Sequence, residues 1–324
     1  MKIAIVQLGR IGDLILATAA INLIKNKHPN AEIDFIVSKS NAKIIENNPN
    51  ISRIVVFDKN PIKLIPFIFK LKIKLYDYYV DIKDHYSTES KIIAGLSNAI
   101  IKVGFNGKKK VFDIPIRSDK ENINLHFLER IDNIFSFLEV EPLGKSNRPN
   151  LFISNASREY IKNYLSENKI EKYILINISA SNNDKMWLEK KWIEFIDFVK
   201  MQTNSTIIII SDTKHFKSAE NIAIRTNILH FPPTTLLNIS ALIRTSDLLI
   251  SPDTSLIHIA STFDIPVISL TNNVDWSINK FAPLSPISEI ILPESDKIFV
   301  PFISVEQVKT AYLRVVQMIY QTRL

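Results

Sequence analysis

Short apolar runs that alternate with helix-like segments constrain this chain more than any other feature. Eight runs are rich in Ile, Val, Leu, Tyr and Phe: residues 2–8, 32–38, 53–58, 78–84, 173–179, 206–211, 247–251 and 265–270. Nearly continuous apolar runs of this length are typical of parallel strands that are covered on both faces. Between them lie stripes of helical period, such as Leu14, Ala17, Ile21 and Ile24, or Trp192, Phe195, Ile196 and Val199. The alternation predicts an α/β chain with doubly wound parallel sheets.

The polar segment EPLGKSNRPN, residues 141–150, is the predicted linker between two domains. It combines two prolines, a glycine and charged residues, and the series of strands restarts after it. The length of 324 residues is enough for two hydrophobic cores. We therefore predict two similar α/β domains, the first over residues 1–150 and the second starting at residue 151. All six glycines lie at or before Gly144, so the second domain must bind any ligand without a glycine-rich loop.

The composition narrows the class of partner. A formal net charge of +7 favours an anionic partner, which is a phosphorylated substrate, an acidic membrane surface or nucleic acid. The basic residues are spread along the chain without zinc-finger spacing or an RNA-binding aromatic signature, so we predict no nucleic-acid partner. The six histidines form no metal-binding motif and cysteine is absent, so we predict no metal site. No apolar run approaches the ~18–20 residues that span a bilayer. The absence of cysteine fits a reducing compartment, so we predict a cytoplasmic location.

The first candidate site is the turn Gly9-Arg10-Ile11-Gly12-Asp13, directly after the first apolar run. In open α/β sheets the ligand crevice lies at the carboxyl ends of the strands, and the two glycines permit a tight turn there. Asp13 has two interpretations at this position. It stabilises the start of a helix through the helix dipole, or it projects into the crevice and takes part in the chemistry.

Two further candidate sites follow strands in the second half of the chain. In SASNNDKMW, residues 179–187, Lys185 is either a phosphate-binding cation or a solvated lysine, and Trp187 is interpreted as a packing residue. In SPDTSLIHIAS, residues 251–261, Asp253 and Thr254 are predicted to cap a helix whose first turn forms an anion site. A helical projection places His258 on the polar side of that helix, opposite its apolar face.

Taken together, the three segments resemble glycosyltransferase family 9, the bacterial lipopolysaccharide heptosyltransferases. The resemblance rests on GRIGD, on Asp184-Lys185-Met186-Trp187 followed by the Trp192 helix, and on Asp253-Thr254-Ser255-Leu256-Ile257-His258. Their order and spacing run through nearly the whole chain, which makes the match more specific than any single motif.

The resemblance implies a GT-B fold, in which two Rossmann-like doubly wound domains face each other across a cleft. It implies an acceptor-side domain over 1–150, a nucleotide-sugar-binding domain over 151–303 and a helix over 304–324 that packs back toward the first domain. It further implies inverting transfer of a sugar, without a metal or other cofactor, from a nucleotide-sugar donor such as ADP-heptose to a lipopolysaccharide core or related glycan. Asp13 then matches the general base, Lys185 a phosphate ligand, and Asp253, Thr254, Ser255 and His258 the donor-binding loop.

Two departures from the family pattern leave the donor open. Phe216 stands where the family has a glutamate that contacts the donor's nucleoside, and Thr271-Asn272-Asn273 replaces an expected glycine-containing turn. A family-9-like transferase with a non-heptose donor is therefore an alternative. Proteins of two other classes also stay open: an NAD-type Rossmann oxidoreductase, weakened by the missing third glycine, and a non-catalytic nucleotide-sugar-binding protein.

Two basic regions concern the acceptor, which is expected to be an anionic glycolipid or oligosaccharide. The segment INLHFLERIDNIF, residues 123–135, resembles the acceptor-side helix of the family and equally fits an ordinary solvated face. Arg10, His126 and Arg130 are the candidate acceptor-binding residues. Residues 61–76, PIKLIPFIFKLKIKLY, are interpreted first as a packed helix and second as a peripheral contact with an anionic membrane, at the inner face of the inner membrane.

Overall fold

The computed structural model describes residues 1–107, 110–294 and 296–322 as two compact units. The N-terminal unit comprises Met1–Phe152 together with Asn279–Phe281, and the C-terminal unit comprises Ile153–Ile278 and Ala282–Leu324. Each unit contains one six-stranded parallel sheet, which confirms the predicted α/β class. The bounds 1–150, 151–303 and 304–324 stay a prediction. Within the described ranges, no helix is long and apolar enough to cross a membrane.

The N-terminal sheet has the strand order β3-β2-β1-β4-β5-β6, the order of a Rossmann domain. Its strands are β1 (Lys2–Gln7), β2 (Glu32–Ser38), β3 (Arg53–Phe57), β4 (Tyr76–Asp81), β5 (Ala99–Gly104) and β6 (Ile114–Pro115). Its helices are α1 (Ile11–Ala17), α2 (Ala19–Lys27), α3 (Pro61–Ile73), α4 (Thr88–Leu96) and α5 (Phe127–Phe135). Neither β5 nor β6 was among the apolar runs that we assigned to strands.

The C-terminal sheet repeats this topology with the order β12-β11-β10-β7-β8-β9. Its strands are β7 (Tyr173–Asn177), β8 (Thr206–Ile210), β9 (Leu229–His230), β10 (Leu248–Pro252), β11 (Val267–Leu270) and β12 (Ser288–Ile291). Its helices are α6 (Asn155–Glu167), α7 (Glu189–Gln202), α8 (Phe216–Thr226), α9 (Leu236–Arg244), α10 (Ser255–Thr262), α11 (Asp275–Phe281) and α12 (Val305–Thr322). The last residues of α11 are those that group with the N-terminal unit.

Helix packing on the sheets follows the predicted stripes. Leu14, Ala17, Ile21 and Ile24 are all buried, but they lie on two helices, because the chain breaks at Thr18 between α1 and α2. The Thr18 hydroxyl donates to Ile15 O at 2.6 Å. A threonine hydroxyl that bonds to a preceding carbonyl competes with the helical hydrogen-bond ladder, which accounts for the break.

The C-terminal core is organised around α7. Trp192 is fully buried and its ring centroid lies 4.8 Å from that of Trp187 in an edge-to-face contact. The Trp187 indole donates to Ile303 O at 2.9 Å, so this residue is a packing residue as we expected. Helix α12 packs on α7, and the ring centroids of its Tyr312 and of Phe195 lie 6.0 Å apart in an edge-to-face contact. By these contacts α12 belongs to the C-terminal unit, and the expected packing of this helix toward the N-terminal domain stays a prediction.

The segment predicted as a linker is held against the N-terminal unit over its last residues. Asn147 donates to Ala19 O at 3.0 Å, and the backbone N–H of Asn150 donates to the Thr18 hydroxyl at 2.7 Å. The side chain of Asn22 also donates to Asn147 at 2.8 Å. These bonds tie residues 147–150 to the start of α2.

Candidate functional site

The N-terminal part of the site lies where β1 ends and α1 begins. Asp13 is the acidic residue in the first turn of α1, and Arg10 is the residue at its N-cap. The neighbouring strand β4 ends at Asp81, which pairs in register with Val6 of β1. Because the carboxyl ends of parallel strands meet at one edge, this edge collects the polar side chains that follow β1 and β4.

Gly9 permits a close approach of side chains around Asp13. A Cβ atom added to Gly9 would lie 2.8 Å from Gln7 Oε1 and 3.0 Å from Asp13 Oδ2. The Gly9 N–H donates to Gln7 Oε1 at 2.8 Å, and Gly9 O accepts a bond from Asn41 at 2.7 Å. A Cβ atom at this position would therefore shift the Gln7 amide or the Asp13 carboxylate.

The environment of Asp13 makes its carboxylate a stronger base than an exposed one. Burial raises the pKa of Asp13 above its ordinary value. The positive charges of Lys280 and Arg10 and a hydrogen bond from the Arg10 backbone act in the opposite direction, and the charge of Asp84 adds to the rise. A partly buried carboxylate with a raised pKa suits a proton acceptor.

An ionic cluster of Asp84, Asp119, Arg130 and Lys280 lies in the same unit. Lys280 Nζ donates to Asp84 Oδ2 at 3.1 Å and to Asp119 Oδ1 at 3.0 Å. Arg130 Nη1 donates to Asp84 Oδ2 at 2.7 Å and also bonds to Asp119. Burial raises the pKa of Asp119, but the hydrogen bonds from Lys280 and Arg130 outweigh this effect and lower it below the ordinary value. Sequence reasoning missed Lys280, Asp84 and Asp119.

Asp81 is a second buried carboxylate at this edge that sequence reasoning did not single out. Burial raises its pKa to about 6, although its Oδ1 accepts the Lys83 N–H at 3.0 Å. Its position at the end of β4 follows from the strand register alone. Asp81 therefore changes its charge at a higher pH than a solvated carboxyl group does.

The candidate acceptor residues differ in what they contact. Arg10 is exposed beside Asp13. His126 is buried at the N-cap of α5, where its Nδ1 accepts the Leu128 N–H at 3.2 Å and its backbone N–H donates to Glu129 at 2.7 Å. Arg130 is buried in the ionic cluster. The interpretation of 123–135 as an ordinary solvated face is therefore wrong for His126 and Arg130, because capping and ion pairing hold both side chains inside the unit.

In the C-terminal unit, Lys185 and Asp253 are brought together from two loops. Lys185 ends a short 3-10 turn, Asn183–Lys185, that follows β7 and is capped by the Asn182 side chain. Its Nζ forms an ion pair with Asp253 Oδ2, 68 residues away along the chain. The Asp253 N–H donates to Leu270 O at 2.9 Å, which anchors this residue at the end of β10.

Helix α10 starts at Ser255, directly after this ion pair. Thr254 is its N-cap, and the Thr254 hydroxyl accepts the Leu256 N–H at 3.4 Å. The predicted capping by Asp253 is wrong, since the carboxylate of Asp253 pairs with Lys185 instead. A lysine beside a helix N-terminus combines a positive charge with oriented N–H groups, which together suit an anion such as a diphosphate.

His258 does not lie on a polar, solvent-facing side of α10 as predicted. It is buried together with its neighbours Ile257 and Ile259, because α10 is covered on more than one side. Burial lowers the pKa of His258 to about 4, with a smaller opposing effect from the charge of Asp253. The imidazole is therefore neutral at physiological pH and has one N–H to donate.

The two positions that depart from the family pattern have ordinary structural surroundings. Phe216 begins α8, and its ring centroid lies 5.0 Å from that of His230. Thr271 follows β11, where its hydroxyl bonds with that of Ser269 at 2.8 Å, and Asn272 accepts the Val300 N–H at 2.9 Å. In the described ranges, no three His, Asp or Glu side chains group as metal ligands would, and the expectation of a metal-independent reaction stays a prediction.

Comparison with known proteins defines first the class and then the family. The structure of glycosyltransferase family 9 from Veillonella parvula superposes with a TM-score of 0.85 at 16% identity, covering 98% of this chain and 97% of that one. The E. coli heptosyltransferase WaaC with ADP-2-deoxy-2-fluoro heptose superposes with a TM-score of 0.75 at 17% identity, covering 97% and 99%. The fold is thus that of the GT-B glycosyltransferases.

The sequence comparisons agree with this class. The lipopolysaccharide core heptosyltransferase OpsX of Haemophilus influenzae is 26% identical over 280 residues, which cover 83% of this chain and 78% of that protein. The model of glycosyltransferase family 9 (heptosyltransferase) matches residues 66–296, most of the chain. The chain belongs to this family and is a glycosyltransferase. Lys185 and the turn over 253–258 lie inside the matched residues, whereas Asp13 precedes them.

Proposed function

We propose that this protein transfers a heptose from ADP-heptose to a lipopolysaccharide core or a related glycan, with inversion at the anomeric carbon. Membership of the heptosyltransferase family carries this proposal. The names of two similar proteins support it, since one is a lipopolysaccharide core heptosyltransferase and the other was solved with an ADP-heptose analogue. The alternative of an oxidoreductase finds no support in these comparisons, whose matches named above are glycosyltransferases.

On the acceptor side, Asp13 is proposed as the general base. It takes the proton of an acceptor hydroxyl while that oxygen attacks the anomeric carbon of the donor. The bond from this carbon to the diphosphate oxygen breaks, and its electron pair leaves with ADP. The partly buried carboxylate of Asp13, whose pKa is raised by burial, is suited to accept this proton.

On the donor side, Lys185 and the first turn of α10 are proposed to hold the diphosphate. Lys185 neutralises the charge that grows on the leaving group, and the Ser255 N–H at the start of α10 donates to its oxygens. Asp253 holds the lysine in place through their ion pair. His258, neutral and buried behind the turn, is proposed to fix the conformation of the turn rather than to carry charge.

Of the three candidate acceptor residues, one is proposed to contact the acceptor and two are proposed to position other groups. Arg10 is exposed beside Asp13 and is proposed to bind an anionic group of the acceptor. Arg130 and His126 are buried, and they are proposed as positioning residues for the ionic cluster and for the start of α5.

A non-heptose donor is the second candidate, and Phe216 is the observation that favours it. Its side chain has no hydrogen-bonding group for a nucleoside, and its ring packs at a tilt against that of His230. We expect the residue at this position to affect the preferred nucleotide or sugar without changing the type of reaction.

The experiment that tests the proposal measures ADP release and acceptor mass. The purified protein is incubated with ADP-heptose and a lipopolysaccharide core that lacks its heptose, with UDP-glucose and GDP-mannose as alternative donors. We expect release of ADP together with a mass increase of one heptose on the acceptor. Transfer from another donor alone would select the second candidate, and donor binding without any transfer would indicate a non-catalytic protein.

A further inference from the structure

Helix α3 exposes a continuous apolar stripe on its outer side. The exposed fractions are 78% for Ile62, 75% for Ile65, 64% for Phe69 and 63% for Ile73. At 100° per residue these four side chains lie within about 80° of one another around the helix axis. They therefore form one surface, which we call the α3 stripe.

The α3 stripe lies opposite the side of the helix that packs in the core. The opposite side of α3 carries the buried residues Phe67 and Leu71, which pack in the core of the N-terminal unit, and Phe67 contacts Phe57 at 5.2 Å between ring centroids. A helix that covers one face of a sheet normally presents polar residues to water. Because α3 is apolar on both sides, its outer side is suited to a partner that removes it from water.

The charges around the α3 stripe indicate which partner. The helix contains Lys63, Lys70 and Lys72, all exposed, and no acidic residue. In the helical projection Lys63 and Lys70 flank the stripe on one side and Lys72 flanks it on the other. Apolar side chains bordered by lysines are typical of helices that lie in the interface of an anionic membrane, because the long lysine side chains reach the lipid phosphates.

A second copy of this chain fits the stripe less well. A two-fold interface through α3 would place the same surface on both partners, so that lysines would face lysines. No acidic residue of α3 would compensate for this repulsion. The charge pattern therefore favours lipid over self-association.

We propose that α3 docks this protein on an anionic bilayer surface, with the helix axis in the membrane plane and the α3 stripe inserted among the acyl chains nearest the head groups. The inference goes beyond the proposed reaction and does not depend on it, since membrane binding is measured without donor or acceptor.

Vesicle co-sedimentation tests the proposal with a matched control. The double variant Ile65→Ser/Phe69→Ser is compared with Met201→Ser/Ile224→Ser, which removes two side chains of the C-terminal unit that are each 75% exposed. On vesicles of phosphatidylcholine mixed with phosphatidylglycerol, we expect the α3 variant to lose about tenfold or more in partition coefficient. The control variant should bind as the unchanged protein does.

The lysines are tested separately by Lys63→Gln/Lys70→Gln/Lys72→Gln. Loss of three charges should weaken binding to the anionic vesicles by roughly a hundredfold at low ionic strength. Vesicles of phosphatidylcholine alone should bind the unchanged protein weakly. Thermal melts confirm that each variant is folded.

Three results would overturn the proposal. The first is absence of vesicle binding by the unchanged protein, and the second is equal binding by the α3 double variant. The third is a dimer in light scattering that Ile65→Ser/Phe69→Ser dissociates while vesicle binding is unaffected, which would assign the stripe to a second copy of the chain.

Discussion

Lys280 donates to Asp84 at 3.1 Å, although the two residues lie 196 positions apart in the sequence. The same ammonium group lowers the pKa of Asp13, which burial raises. Lys280 thus links the ionic cluster to the proposed base, because its charge acts on both. Its own position is held by the two carboxylates of Asp84 and Asp119.

Lys280→Met should shift the pH dependence of the reaction. Without the positive charge, the pKa of Asp13 rises further, so that the acid limb of kcat/KM moves to higher pH while the rate at high pH changes less. Lys280→Arg keeps the charge and should restore the original profile. An unchanged acid limb in a folded Lys280→Met variant would show that the lysine does not act on the base.

Asp13→Asn should lower turnover by about 10²–10⁴-fold, the usual contribution of a positioned general base. Asparagine preserves the size of the side chain but cannot take the proton. The affinity for ADP, measured by calorimetry, and the melting temperature should change little. Asp197→Asn, at an exposed position on α7, is the matched control and should keep full activity. Loss of stability with normal turnover would identify Asp13 as a helix-start residue only.

Lys185→Ala should weaken ADP binding by about 10- to 100-fold, since hydrogen bonds to charged groups contribute roughly 1.5–3 kcal/mol. The substitution also leaves Asp253 without its ion-pair partner, which adds repulsion against a diphosphate. Lys190→Ala, which removes an exposed lysine at the start of α7, is the control. Equal affinities of the two variants in calorimetry would remove Lys185 from the donor site.

Gly9→Ala should reduce turnover about tenfold or more, because a misplaced catalytic group loses much of its effect. The new methyl group would lie 2.8 Å from Gln7 Oε1 and 3.0 Å from Asp13 Oδ2, so that one of these side chains must move. Gly95→Ala in α4 is the control: its Cβ meets nothing within 4 Å, and it should stabilise the protein by about 0.5–1 kcal/mol without changing kcat. If Gly9→Ala retained full turnover, close packing around Asp13 would not be needed for catalysis.

His258 should make the C-terminal unit less stable as the pH falls. Its folded-state pKa is about 4, whereas a solvated histidine has an ordinary value of 6.5, so the unfolded chain binds the proton first. The stabilisation is fully present above pH 6.5 and declines by about 3 kcal/mol as the pH falls to 4. All three tryptophans lie in the C-terminal unit, so urea unfolding followed by their fluorescence measures this effect. In His258→Gln the free energy of unfolding should depend less strongly on pH between 4 and 6.5. An unchanged pH dependence would contradict the buried, neutral imidazole.

Periodicity predicted the parts of the fold in which burial follows a regular pattern. The stripe from Leu14 to Ile24 and the Trp192 stripe are buried as expected. Four strands were not predicted: β6 and β9 have two residues each, too short for any pattern, whereas β5 and β12 are only partly buried along their length. His258 was placed on the wrong side of α10 because a helical projection assumes one buried face, whereas five consecutive residues from Ile257 to Ser261 are buried.

The candidate site shows the same limit. Lys185 and Asp253 stand in local motifs, and the sequence indicated both, although their ion pair could not be read from it. Lys280 stands in an ordinary segment, NKFAP, and its partners lie in the other half of the sequence. A residue whose role depends only on such distant contacts leaves no local signal.

The assignment of Asn279–Phe281 to the N-terminal unit has a consequence for engineering this enzyme. A chimera that exchanges donor specificity with a relative by joining two genes near residue 152 would leave Asp84, Asp119 and Arg130 without their native lysine. The half taken from the relative would then need, at the position of Lys280, a positively charged side chain long enough to contact Asp84 and Asp119. Such a chimera therefore needs three segments, because residues 279–281 must come from the same parent protein as residues 1–152.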